Sequence, residues 1–275
     1  GDLDLTGGPV QITENDSITD VAAWNTGATT LSAGTNDILL DNSGIFGTLN
    51  LTGANIDITE GAAMVLGSVN VSDALSVTSG TSISVSTDFS ATNSASLDTP
   101  TVDLNGVITT AALSGSNVTR VNLLDGGTVA QANILLTAGE TLDVSGKTNQ
   151  TSYTIGNFPN AGTFIGDNTA TLLVLDTLGS DVEITGTNDG NIGGVGTFDF
   201  QDVVSLTGSN NDDTFTLNGG TLDGSISGNG GTDTLELDNI TNTVTLSGAN
   251  AGSATGITGG FIGIEFLNAN VQTND

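Results

Sequence analysis

The 275 residues are enough for one or two domains, and 39 Gly among many Thr, Ser, Asn and Asp point to a chain of short strands and tight corners. Thirty-one acidic residues face two basic ones, Arg120 and Lys147, for a net charge of −29; phosphate neutralisation fails on that balance, and an anionic bilayer repels it, so nucleic acid and membrane insertion are excluded as partners. Without Cys there is neither a disulfide nor a thiolate metal site, and no run of some 18 apolar residues offers a membrane helix.

Val, Ile and Thr recur at short intervals, so the chain can bury enough apolar area to offset its ordering entropy and should fold. The sequence opens at Gly1 with no Met or basic leader, which reads as a mature or excised fragment. Trp24, the only Trp, precedes the first clear strands and is expected to plug the core rather than face solvent. From there alternation takes over. TLNLTG (Thr48 to Gly53) and SVNVSD (Ser68 to Asp73) lie 20 residues apart, and NIDIT (Asn55 to Thr59) is echoed by ALSVT (Ala74 to Thr78). Such alternation predicts half-buried strands with Leu49, Leu51, Ile56, Ile58, Val69 and Val71 on one face. No 3.6-residue period persists long enough to predict a helix. Asn105-Gly106, Asp125-Gly126 and Asn218-Gly219 suit either hairpin turns or the corners of a coil.

Beyond residue 148 a longer period appears. A shift of 62 residues lays Asn149 to Phe198 over Asn211 to Gly260 without a gap. Identities include Thr154 with Thr216, Gly166 with Gly228, Leu173 with Leu235, Leu175-Asp176 with Leu237-Asp238, Gly186 with Gly248, and Asn188 with Asn250. Apolar positions exchange like for like: Tyr153 for Phe215, Ile184 for Leu246. After a one-residue slip, Phe200 to Leu206 meets Phe261 to Leu267.

Hairpin folds do not predict self-similarity at both about 20 and 62 residues, whereas a solenoid does. The reading is all-β: a right-handed parallel β-helix, or β-solenoid, with about 20 residues per coil. Residues 1–148 form irregular coils, and residues 149–275 form two copies of a three-coil repeat continuous with them. Some thirteen coils at roughly 4.8 Å each would make a rod of about 65 Å. Asn274-Asp275 matches the Asn211-Asp212 that opens the last copy, so either the chain is expected to continue into, or stack upon, a further copy, or the match marks only a cloning or proteolytic boundary.

The stretch DTFTLNGGTLDGSISGNGGTDTLELDN (Asp213 to Asn239), with VVSLTGSNN before it and VTLSGANAG after it, resembles a repeat of large bacterial surface exoproteins of the filamentous-haemagglutinin-like and autotransporter-like kind. TNDILLDNSGIFGTLNLTGANIDIT (Thr35 to Thr59) also resembles their shafts. The resemblance implies export across the outer membrane, a place at the cell surface, and a role in adhesion, aggregation or biofilm matrix. The chain lacks the Asn-Pro-Asn-Gly signature of the family's secretion domain, so the resemblance is to shaft alone.

Catalysis has little to work with. There is no His to serve a nucleophile, and polysaccharide cleavage on an anionic chain would want cations where only Arg120 and Lys147 exist. The chain is therefore read as no enzyme. Its expected partners are itself, through end-to-end or lateral association, and surface glycans. One metal pattern is present. Gly228 to Glu236 departs at one defining position from the Gly-Gly-x-Gly-x-Asp-x-apolar-x nonapeptide of calcium-binding β-rolls, and Gly208 to Thr216 keeps Asp213 but loses two glycines. Asp213 and Asp233 are thus the candidate Ca²⁺ ligands, with ordinary turn capping as the competing reading and no other cofactor expected.

Overall fold

The computed structural model describes residues 5–128, 130, 132, 135–136, 140–154, 162–169, 171–174, 181–193 and 198–269. They form an all-β solenoid of stacked parallel coils, about 20 residues each and about ten turns in all. The chain divides into two compact units, Gly1–Glu140 and Thr141–Asp275, a boundary close to the change of rhythm at residue 148.

In the first unit each turn lays down two main strands. The first turn comprises β1 (Thr6–Gly7), β2 (Val10–Thr13) and β3 (Ile18–Thr19), and β4 (Asn25–Thr26), which pairs in parallel with β1, opens the second. The second has β5 (Thr29–Ser32) and β6 (Ile38–Gly44), the third β7 (Thr48–Gly53) and β8 (Ile56–Glu60), and the fourth β9 (Met64–Val71) and β10 (Ala74–Ser79). The fifth has β11 (Ser82–Val85), β12 (Phe89–Ala91) and β13 (Ser94–Asp98); the sixth has β14 (Thr101–Leu104), β15 (Ile108–Thr109) and β16 (Ala112–Ser116); and β17 (Arg120–Leu123) opens the last.

Strands β5, β7, β9, β11, β14 and β17 stack in one parallel file, and β3, β6, β8, β10, β13 and β16 in another. Partner residues lie 16 (Gly44 and Glu60) to 20 (Ile18 and Ile38) positions apart. Because side chains alternate across a strand, that register stacks like on like: Ile38 on Ile56 on Leu75, and Leu40 on Ile58 on Val77 on Leu97, all buried. Each such aliphatic contributes roughly 1.5–3 kcal/mol of burial. Trp24 is fully buried, as its position suggested.

The corners are tied by side-chain amides and carboxylates that reach one turn along the chain. Asn93 Nδ2 donates to Asp73 Oδ1 at 2.6 Å, Asn117 Nδ2 to Asp98 Oδ1 at 2.6 Å, and Asn122 Nδ2 to Asp103 Oδ1 at 2.6 Å. Asn105-Gly106 and Gly126 belong to this system rather than to hairpins, since the Gly126 N–H donates to Asn105 Oδ1.

A short helical stretch breaks the pattern. The Ala132 N–H donates to the Thr128 carbonyl and the Leu136 N–H to the Ala132 carbonyl. About two turns are too few to establish a 3.6-residue period in the sequence, and Ala, a strong helix former, occupies positions 130 and 132. Buried Ala132, Leu135 and Leu136 seat it on the core.

The second unit alternates between two sheets. After β18 (Glu140–Asp143), the first copy of the repeat contributes β19 (Ser152–Thr154), β20 (Gly162–Ile165), β21 (Leu172–Val174), β22 (Asp181–Gly186), β23 (Asp189–Gly193), β24 (Phe198–Gln201) and β25 (Ser205–Thr207). The second contributes β26 (Thr214–Leu217), β27 (Ile226–Ser227), β28 (Thr234–Glu236), β29 (Val244–Gly248), β30 (Ala251–Ala254), β31 (Ile257–Ile262) and β32 (Phe266–Asn268). One sheet runs β19-β21-β25-β27-β31-β30-β29, and the other includes β20-β24-β23-β22-β26-β28-β32.

Two features correct the expected three-coil repeat. In each copy one strand visit is expanded into an antiparallel meander, β22-β23-β24 and then β29-β30-β31. Each copy therefore makes five visits to the two sheets, which is two and a half turns, and equivalent strands fall on opposite sheets: β20 with β27, β21 with β28, β22 with β29. The meanders consume chain without advancing the coil, which accounts for part of the difference between about ten turns and the thirteen expected.

The two meanders match closely. Ile184 pairs with Gly190 and Leu246 with Gly252; a register shift follows each, and the connecting Asn188 and Asn250 both take positive φ, 62° and 56°. At Gly190 a Cβ would meet the Glu183 carbonyl oxygen at 2.2 Å and Phe200 Cζ at 2.5 Å, and at Gly252 it would meet Thr245 O at 2.5 Å and Phe261 Cζ at 2.9 Å, so both glycines are demanded by a backbone and an aromatic ring. The expected matches at Leu175-Asp176 and Asn274-Asp275 lie outside the described residues.

Candidate functional site

Alternation that buries Ile18, Ile38, Ile56, Leu75 and Ala95 turns the neighbouring residue of each strand outward. Register aligns these neighbours in one file, one per turn: Thr19 beside Leu39, Leu39 beside Asp57, Asp57 beside Ser76, Ser76 beside Ser96. A groove of about 480 Å³ runs along this file, with Ser17, Asp37, Asn55, Ala74 and Ser94 on its flank. That volume lies within the range of small-ligand clefts. Hydroxyls of Thr19, Ser76 and Ser96 offer paired donor and acceptor capacity, Leu39 a half-open apolar step, and Asp57 a carboxylate. The other carboxylate of the lining, Asp37, has Oδ1 engaged by the Asn55 N–H and Nδ2 at 2.9 and 3.0 Å. The accessible wall is mainly apolar, with these hydroxyls and carboxylates set along it. Sequence reasoning missed it: alternation gives the outward residues, but joining them into one file needs the spacing of every coil, which varies from 16 to 20.

The predicted calcium residues fall in a second place, a stack of turns in the second unit. Asp213 and Asp233 are both buried, at 2% and 1% exposure, and sit one turn apart. Asp213 Oδ2 accepts from the Ser209 N–H at 2.7 Å and from Ser209 Oγ at 3.2 Å. Asp233 Oδ1 accepts from the Asp213 N–H at 2.8 Å, and Glu265 Oε2 accepts from the Asp233 N–H at 2.8 Å. Asp233 and Glu265 thus each cap the backbone of the preceding turn, while Asp213 caps its own corner at Ser209. Asp233 Oδ2 has no hydrogen-bond partner; burial, together with the nearby Asp213, Glu265 and Asp212 charges, pushes this carboxyl up to about 6. Among the described residues no three His, Cys, Asp or Glu side chains are placed to hold a metal ion. Glu265 was not foreseen, because the one-residue slip between copies puts a Val, Val204, at its earlier equivalent.

A third acid stands in the core of the first unit. Glu60, 1% exposed, accepts the Phe46 N–H on Oε1 at 3.0 Å and leaves Oε2 unpartnered. Burial raises its carboxyl to about 7.

No protein-family model, curated protein or solved structure matches the chain.

Proposed function

We propose that the chain is a shaft segment of a large bacterial surface exoprotein, extracellular and non-enzymatic, whose role is structural and adhesive and whose units join end to end into fibres or a surface matrix. The observation that carries this reading is the solenoid itself: every turn uses its neighbours for core contacts and corner clamps, so added turns lengthen the structure without a new fold. The acidic, Cys-free composition and the exoprotein-like repeat at Asp213 to Asn239 support a secreted location. Negative-stain microscopy of the purified chain tests it. Filaments or end-joined particles are expected, and strictly single particles at high concentration would defeat it.

The groove over the Thr19, Leu39, Asp57, Ser76 and Ser96 file, an apolar wall with hydroxyls along it, supports a second role for the same segment: binding a neutral surface glycan by its apolar sugar faces and hydroxyls. A panel of soluble polysaccharides, run with the native chain and with Ser76→Trp, checks this: binding that the bulky side chain abolishes supports it, and no binding to any polymer removes it.

A further inference from the structure

The two copies of the repeat differ in one respect that the sequence does not announce. In the first, β22 is paired on both edges, with β23 on one side and, in parallel, with β26 on the other: Val182 beside Phe215, Glu183 beside Thr216, Ile184 beside Leu217. The junction is reinforced beyond the strand. The Asn188 N–H donates to the Thr221 carbonyl at 2.8 Å, the Asp223 N–H donates to Asn188 Oδ1 at 2.9 Å, and Asn218 Nδ2 donates to Glu183 Oε1 at 2.6 Å. Under this cover Ile184 and Asn188 are 0% exposed.

In the second copy β29 has the equivalent inner partner, β30, in the same register and with the same irregularity, but among the described residues stands at the end of its sheet. Leu246, the counterpart of Ile184, is 69% exposed; Asn250, the counterpart of Asn188, is open to solvent. At the end of the facing sheet, β32 leaves Phe266 60% exposed. An edge strand with an uncovered aliphatic is a template for one more strand.

We infer that the free edge of β29 is the seat for the opening strand of a further copy of this same repeat, a strand of the β26 type, docking in parallel with Val244 beside its Phe and Leu246 beside its Leu. The occupant is specified by the β22–β26 junction, which the molecule already builds once; the inference rests on the shaft reading only in supposing that such a copy meets this end.

The test uses the full chain and a labelled synthetic peptide of residues 210–224, followed by fluorescence anisotropy at physiological salt. Saturable binding is expected, lost at least tenfold with Leu246→Asp in the chain, and lost when the peptide carries Phe215→Asp and Leu217→Asp. Leu246 is exposed, so the variant keeps its fold, which circular dichroism checks. Absence of saturable binding at millimolar peptide, or binding that Leu246→Asp leaves unchanged, overturns the inference. Filaments that still form with Leu246→Asp would also overturn it while leaving the shaft reading standing.

Discussion

The two units solve one problem, covering a row of inward aliphatics, with different bookkeeping of turns. In the first, each period of 16 to 20 residues is one whole coil, so Ile38, Ile56 and Leu75 return to the same sheet and lie on one another. In the second, the 62-residue period is two and a half coils, so Ile184 and Leu246 return to opposite sheets and never meet. A sequence period counts residues, and its meaning depends on whether it closes a whole number of turns.

Twin positions give the sharpest way to break that comparison. Ile184→Ala should cost about 2–5 kcal/mol, as truncation of a fully buried aliphatic does, while Leu246→Ala should stay within about 0.5 kcal/mol. Urea unfolding followed by circular dichroism measures both, and equal losses would mean the two strands are equally covered.

The corner acids contrast the units next. Asp213 is buried and receives the Ser209 donors, so Asp213→Ala should destabilise by about 1–3 kcal/mol by leaving a buried N–H unpaired. Glu60 sharpens the picture from the first unit. Its carboxyl titrates near 7 folded against 4.5 as an ordinary glutamate, so the folded state holds its proton more tightly. The resulting stability is fully present below pH 4.5 and is lost as pH rises through 7, on the order of 2 kcal/mol by pH 8. Glu60→Gln should remove that slope in unfolding titrations between pH 5 and 8, while general charge repulsion persists in both proteins. Smaller still is Asp73→Ala: its clamp from Asn93 is solvent-exposed, and a change beyond a few tenths of a kcal/mol would be unexpected. The smallest effect is that of calcium. Because Asp213 and Asp233 cap backbone amides, excess EDTA should leave the melting temperature unchanged; a downward shift would make them ligands after all.

Much of the solenoid was legible because its signal is local. Alternation named Leu49, Leu51, Ile56, Ile58, Val69 and Val71 as one inward set, and all six are buried. The repeat was legible as well, down to the matching of Gly186-x-Asn188 with Gly248-x-Asn250. What those residues do was not: they connect antiparallel strands, and nothing at the level of spacing separates a tight hairpin connection from a coil corner when both use Gly and Asn at positive φ. The groove and the Asp233–Glu265 contact depend on which residues lie one coil apart, a quantity set by the corners rather than by the strands.

The half-turn offset between copies has a corollary. Each meander adds two strands to one sheet of the second unit, and the next copy adds its two to the other sheet, so the extra strands are shared between the two faces. A whole-turn period would have set both insertions on one sheet; the half-turn remainder divides them between two.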